Sequence, residues 1–169
     1  MQMKLADNIT DALSGLFLLA ARSSPEREYA LRAFFEQWKH DRQLVNKWLM
    51  VQATSSSQDT LIRVKGLINN PAFSITNPNN VMSLIGQFCS NNPINFHAKD
   101  GSGYKFLAEQ ILVLDKLNPQ IAARQLGAFN SWRLYDKRRQ TLMKETISSI
   151  IMHQSLSADV YEIATKYLL

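Results

Sequence analysis

The chain has 169 residues, 46% of them hydrophobic and 20% charged, with a formal net charge of +5 and a single cysteine. That length suits one domain with a sizeable core, and so mild a charge is not the concentrated field of a strong nucleic-acid binder. One cysteine excludes an internal disulfide and suits a reducing compartment.

Leu5, Ile9, Leu13, Leu16 and Phe17 recur at helical spacing and predict a first amphipathic helix. The run from Gly15 to Ala21 is the longest strongly apolar stretch. It is too short to span a bilayer and lacks a basic flank or cleavage pattern. A cytoplasmic protein without a membrane partner is therefore expected. Arg22-Ser23-Ser24-Pro25 closes the first helix and opens a second, whose buried side is Leu31, Phe34, Phe35 and Trp38. Asp41 can cap a third, with Leu44, Val45, Trp48 and Leu49 facing inward. The Ser-rich passage from Thr54 to Gln58 is a turn, too short for a linker. A brief helix from Thr60 to Ile68 follows, then a polar, irregular stretch.

The chain is organised around Asn77 to Leu107. Asn77 can cap and Pro78 suits the first helical position, where no N–H partner is needed. Val81, Leu84, Ile85 and Phe88 continue that helix, and Cys89 beside them reads as a buried, inert thiol. Asn92-Pro93 starts a short turn, and the Lys99–Gly103 loop needs glycine at positive φ. Tyr104 to Leu117 follows; Ile111-Leu112-Val113-Leu114 is apolar on every side and predicts burial on both flanks. Asn118-Pro119 starts a helix through Phe129. Asp136 to Met152 is another, with Leu142, Met143, Ile147, Ile150 and Ile151 on one face. Ser157 can cap the last, which buries Val160, Ile163, Ala164, Tyr167 and Leu168. All five prolines follow Ser or Asn at or near predicted helix starts, and no segment alternates with period two. The fold class is all-α. About nine helices pairing into antiparallel hairpins of roughly 35–40 residues have the rhythm of an α-solenoid of the HEAT or armadillo kind. Residues 1–169 are read as a single α-helical domain, although the hairpins share no visible sequence repeat.

Candidate chemistry is sparse. His40, His97 and His153 are isolated, so the paired histidines and intervening base of a zinc peptidase are missing. His97, Asp100 and Ser102 have the residue types of a triad without its geometry. Gly101-Ser102-Gly103 fails the dinucleotide pattern, since no strand precedes it, and no Walker lysine follows. Arg133, Lys137, Arg138, Arg139 and Lys144 lie near Trp132 and Tyr135, a combination that could neutralise phosphates and stack bases. A solvated helix face is the plainer reading. Gln120 and Arg124 sit four apart and point the same way; spacing alone makes them an ordinary exposed pair.

Longer strings say more: VNKWLMVQATSSS (45–57), ITNPNNVMSLIGQF (75–88), NPINFHAKDGSGYKFLAE (92–109), LNPQIAARQL (117–126), RLYDKRRQ (133–140) and LSADVYEIATKYL (156–168). In this order, over nearly the whole chain, they resemble the C-terminal helical domain of bacterial aminopeptidase N, the zinc-dependent alanyl aminopeptidases of the gluzincin class. The resemblance implies a non-catalytic cap that closes over the active-site chamber of a larger, monomeric peptidase and limits substrate access. It places the zinc ligands, the general-base glutamate and the strip that holds the substrate's amine in a catalytic domain of the same parent chain. No catalytic residue, metal ligand or cofactor is then expected within these residues, and the isolated fragment is expected to be inactive. In similar enzymes the glutamine and arginine of Asn-Pro-Gln-x-Ala-x-Arg reach the leaving side of the scissile bond. Gln120 and Arg124 match them and become the expected peptide-binding residues. The chain departs from the pattern at Asn80 and Met82, where related enzymes can carry arginines. The competing reading is a stand-alone helical scaffold that binds protein or nucleic acid through the basic 133–144 helix.

Overall fold

The computed structural model describes residues 9–169, and among these every regular element is helical. Leu5 and Met1 lie outside them. The chain divides between Asn92 and Pro93 into two compact units.

The first unit holds α1 (Ile9–Ala20), α2 (Pro25–Trp38), α3 (Arg42–Ala53), α4 (Thr60–Ile68), α5 (Pro78–Val81) and α6 (Gln87–Asn91). A π-helical turn, Met82–Gly86, joins α5 to α6 without a break, so 78–91 behaves as one helix. Local chemistry sets the starts. Ser24 accepts the Arg27 N–H at 3.2 Å, Asp41 accepts those of Gln43 and Leu44, and Asn77 accepts that of Asn79. Each oxygen satisfies an N–H that the first turn leaves without a partner. Helix α3 is the centre of the unit and packs on α1, α2, α4 and the 78–91 helix. Its Leu49, Val51 and Ala53 are fully buried. Asn92 ties the end of α6 to the end of α3, its amide donating to the carbonyls of Ala53 and Ser55 at 2.9 and 2.7 Å.

The second unit holds α7 (Pro93–Phe96), α8 (Ser102–Leu117), α9 (Pro119–Gln125), α10 (Lys137–Ile151) and α11 (Ala158–Leu168). Two 3₁₀ turns, Leu126–Phe129 and Trp132–Leu134, connect α9 to α10. Helix α8 packs on α7, α9 and α10, and α11 packs on α9 and α10. Asp115 is 6% exposed and clamps the start of α11, accepting the Ser157 N–H at 2.8 Å and its hydroxyl as well. Joined as described, the segments make ten helices among the described residues, close to the number expected.

The structure revises several expectations. Ile9 and Phe17 are 38% and 43% exposed; Leu13 and Leu16 are buried as expected, with Ala12, Gly15 and Ala20 beside them. Val113 is exposed and Leu112 half-buried, so α8 sends only Ile111 and Leu114 of that run into the core. Pro71 starts no helix; the other four prolines each occupy a first helical position. Of the two loop glycines only Gly101 has positive φ, at 71°. Gly103 is required for another reason: a Cβ there would lie 2.2 Å from the Phe96 carbonyl oxygen.

Candidate functional site

Asn118 makes the corner on which Gln120 and Arg124 depend. Its N–H closes α8 onto the Leu114 carbonyl at 2.7 Å, and its side-chain oxygen opens α9 by accepting the Ile121 N–H at 3.2 Å. Pro119 then takes the first helical position. Ala122 and Gln125 are buried where α9 meets α8 and α11. The same periodicity that buries them turns Gln120 and Arg124 outward. Both are exposed, one helical turn apart. Arg124 sits in the last turn, where a cation suits the negative end of the helix. Among the described residues neither has a hydrogen-bond or ion-pair partner. The pair therefore offers a planar fork of charged donors and a carboxamide to a carbonyl or carboxylate from outside.

The other sequence candidates have structural partners. His97 Nδ1 shares a 2.8 Å hydrogen bond with the Tyr104 hydroxyl, and its ring stacks on Tyr135 with centroids 4.0 Å apart. Burial first, and the neighbouring Arg139 charge second, bring the imidazole down to about 4. Burial raises the Tyr104 hydroxyl to about 12. A neutral imidazole accepting from a protonated phenol satisfies both groups. Asp100 is used locally and accepts the Ser102 N–H at 2.9 Å. No triad assembles. Cys89 is 4% exposed and burial pushes its thiol up, which makes it unreactive.

The basic segment loses its aromatic half. Trp132 is 7% exposed, donates its indole N–H to the Tyr167 carbonyl at 2.8 Å, and lies 4.5 Å from the Arg133 guanidinium. Tyr135 is occupied by His97. Arg139 donates to the His97 carbonyl at 2.7 Å and pairs with Asp136. Lys137 and Arg138 remain exposed.

Sequence reasoning missed an ionic network in the first unit. Arg27, 3% exposed, forks onto both carboxylate oxygens of Asp59 at 3.0 and 2.6 Å and reaches Glu28 at 3.0 Å. Glu28 also accepts from Arg63. The Arg27 guanidinium holds the Asp59 carboxyl well below the usual carboxylate range. No local spacing signals a pair 32 positions apart.

Among the described residues no group of three or more His, Cys, Asp or Glu side chains is gathered as a metal site. His97 Nδ1 is engaged by the Tyr104 hydroxyl, and His153 Nδ1 is buried without a hydrogen-bond partner among the described residues. No helix among the described residues is long and apolar enough to cross a membrane.

The chain, helical in every regular element of its described residues, is a helical-repeat domain. It belongs to the family described as "Domain of unknown function (DUF3458_C) ARM repeats", which matches residues 1–169. The chain is 38% identical over 167 residues to Aminopeptidase N of Escherichia coli K12, covering 99% of this chain and 19% of that protein. It is 38% identical to Aminopeptidase N of Caulobacter vibrioides and 35% to that of Haemophilus influenzae, covering 96% of this chain and 19% of each relative. The crystal structure of Legionella pneumophila aminopeptidase A in complex with aspartic acid matches with a TM-score of 0.94 at 37% identity. That match covers 99% of this chain and 20% of that one. The chain thus spans about a fifth of the length of these relatives. The resemblance to the helical domain of aminopeptidase N, carried in the sequence by the strings above, holds over the whole chain, and the ARM-repeat family accords with an all-α solenoid.

Proposed function

We propose that this chain is the C-terminal cap domain of a bacterial zinc-dependent aminopeptidase and supplies leaving-side peptide contacts through Gln120 and Arg124. The likeness to three proteins named Aminopeptidase N over 96–99% of the chain is the observation that carries this reading. The cap limits access to the chamber, and the catalytic domain of the same polypeptide, which holds the zinc, is its partner. The whole protein is cytoplasmic and monomeric, acts on peptides, and does not act through nucleic acid. The domain by itself is inactive. Support for the division of labour comes from the chain's own chemistry: among the described residues its Gln–Arg pair is outward and without a partner, whereas His97 is held by Tyr104 and Tyr135.

The test is Arg124→Ala in the full protein that carries this chain. A charge-assisted bond to a peptide carbonyl or carboxylate is worth about 1.5–3 kcal/mol, roughly 10- to 150-fold in binding. kcat/KM for di- and tripeptides should fall by that factor, mostly through KM if the contact is equally strong in the ground and transition states. Chromogenic aminoacyl amides have no residue beyond the cleaved bond and should lose little. Equal losses on both substrates, or none on peptides, would remove Arg124 from the site.

A further inference from the structure

The first unit contains an open groove of about 820 Å³ between the α2–α3 corner and the 70–77 loop. We propose that it is a second binding site, which takes a peptide segment by its carboxylate. The site is independent of Gln120 and Arg124. Carboxylate recognition follows from the groove alone; that the carboxylate belongs to a peptide rests on the peptidase reading above.

The loop is fixed before any ligand arrives. Phe73 is buried beneath it, and turns close from Phe73 N–H to the Asn70 carbonyl and from Asn77 N–H to the Ser74 carbonyl, at 2.9 and 3.0 Å. Asn80, 7% exposed, accepts the Ser74 N–H at 2.9 Å and donates to Asn46 on α3 at 2.7 Å. One buried carboxamide thus fastens the loop to both neighbouring helices. A preformed wall avoids the ordering cost of binding.

The lining groups are donors. Asn70 uses its side-chain oxygen on the Ala72 N–H, and Asn77 uses its own on the Asn79 N–H. Those bonds fix which end of each amide is oxygen, so the remaining end is an NH₂ with no partner among the described residues. Arg42 lines the same groove without an ion-pair partner, and Lys39 and His40 stand beside it. Nearby acids are committed elsewhere. Asp41 caps α3, and Glu36 holds Lys39 at 2.6 Å, leaving Arg42 as the available permanent cation. No carboxylate is among the lining residues. Carboxamide NH₂ groups with a guanidinium and no competing acceptor charge suit a carboxylate.

The floor favours an organic ligand over a bare ion. Phe35, its ring 4.7 Å from that of Trp48, lies with Val45 and Pro71 against the donors. A polar rim beside an apolar floor, in a volume of this order, is the usual form of a small-ligand site. A peptide end with one apolar side chain next to a carboxylate matches both halves. That carboxylate can be the chain terminus or an acidic side chain.

The test is fluorescence anisotropy of N-terminally dye-labelled Ala-Ala-Ala-Phe-Glu with the 169-residue chain. Parallel arms use the C-terminal amide, the Gln-for-Glu peptide, and the peptide with both changes. Losing the recognised carboxylate should weaken binding about 10-fold or more, and the two single-change arms tell which source is read. Arg42→Gln should cause a similar loss. Arg138→Gln removes the same charge from the exposed face of α10 and should leave the affinity within about twofold. No detectable binding, equal binding of the doubly neutral peptide, or equal losses from Arg42→Gln and Arg138→Gln would overturn the proposal. So would tighter binding of a single-stranded oligonucleotide of the same charge. Failure of the peptidase reading looks different: Arg124→Ala would leave hydrolysis of peptides unchanged while the anisotropy signal remained.

Discussion

His97 gives the chain a pH-dependent stability whose window can be worked out. In the unfolded chain the imidazole binds a proton below about pH 6.5. In the folded chain burial, aided by the Arg139 charge, delays protonation to about pH 4. Between these values the unfolded state holds the extra proton, so stability rises with pH and is lost as the solution is acidified. At about 1.4 kcal/mol per pH unit the interval from 6.5 to 4 sets a ceiling of ~3 kcal/mol. The groups around the ring argue for a value near that ceiling. His97 is only 9% exposed, Tyr104 is fully buried on its Nδ1, and no carboxylate bonds to the ring. Urea unfolding followed by circular dichroism, at pH steps across this window, measures the slope directly. His97→Gln keeps an acceptor for the Tyr104 hydroxyl but cannot titrate. It should be less stable at pH 7 because the stack on Tyr135 is lost, yet nearly flat across the window. A flat wild type, or a variant with the wild-type slope, would refute the reasoning.

Gly103→Ala drives a Cβ into the Phe96 backbone and should cost roughly 3 kcal/mol or more, whereas Gly127→Ala, with open space around its Cβ, should stay within about 0.5 kcal/mol. Thermal melts that shift equally for both would contradict the close approach of α8 to α7. Asp59→Asn leaves the Arg27 guanidinium with Glu28 as its only carboxylate. Because Asp59 is itself 36% exposed, the expected loss is about 1–3 kcal/mol, below that of a fully buried pair. The folded-state pKa of Asp59 is depressed, so its contribution is complete above the ordinary carboxylate value. It disappears as pH falls below about 4, a window lower than that of His97. A variant as stable as wild type at pH 7, or one that keeps the wild-type loss below pH 4, would show that Arg27 does not depend on the carboxylate.

What could be read from the sequence was what a few adjacent residues decide. Asp41, Asn77, Asn118 and Ser157 cap helices as their side chains predict, because a cap needs only the next three N–H groups. The outward direction of Gln120 and Arg124 follows from spacing in the same way. Their likeness to a peptide-binding pair came from longer strings and not from chemistry visible at two positions. Features settled by distant partners were illegible. Phe17 fits an apolar stripe yet is exposed, because the neighbours of α1 cover a different arc. Asn92 opens a short turn in the sequence, and only the fold brings its amide to the carbonyls of Ala53 and Ser55. The Arg27–Asp59 pair and the Asn70–Asn77–Arg42 wall join positions that no periodicity relates.

The π turn at Met82–Gly86 bears on how this chain should be aligned with others. An α-helix rotates by about 100° per residue, so one added residue would swing everything after it away from the core. A π turn takes about one residue more than an α turn, yet Val81, Leu84, Ile85 and Phe88 keep ordinary α spacing and are all fully buried. A turn of this kind is where a relative can carry one residue more or fewer while both flanks still face the core. Correspondences across those positions have to be drawn by which side chain is buried, and not by count.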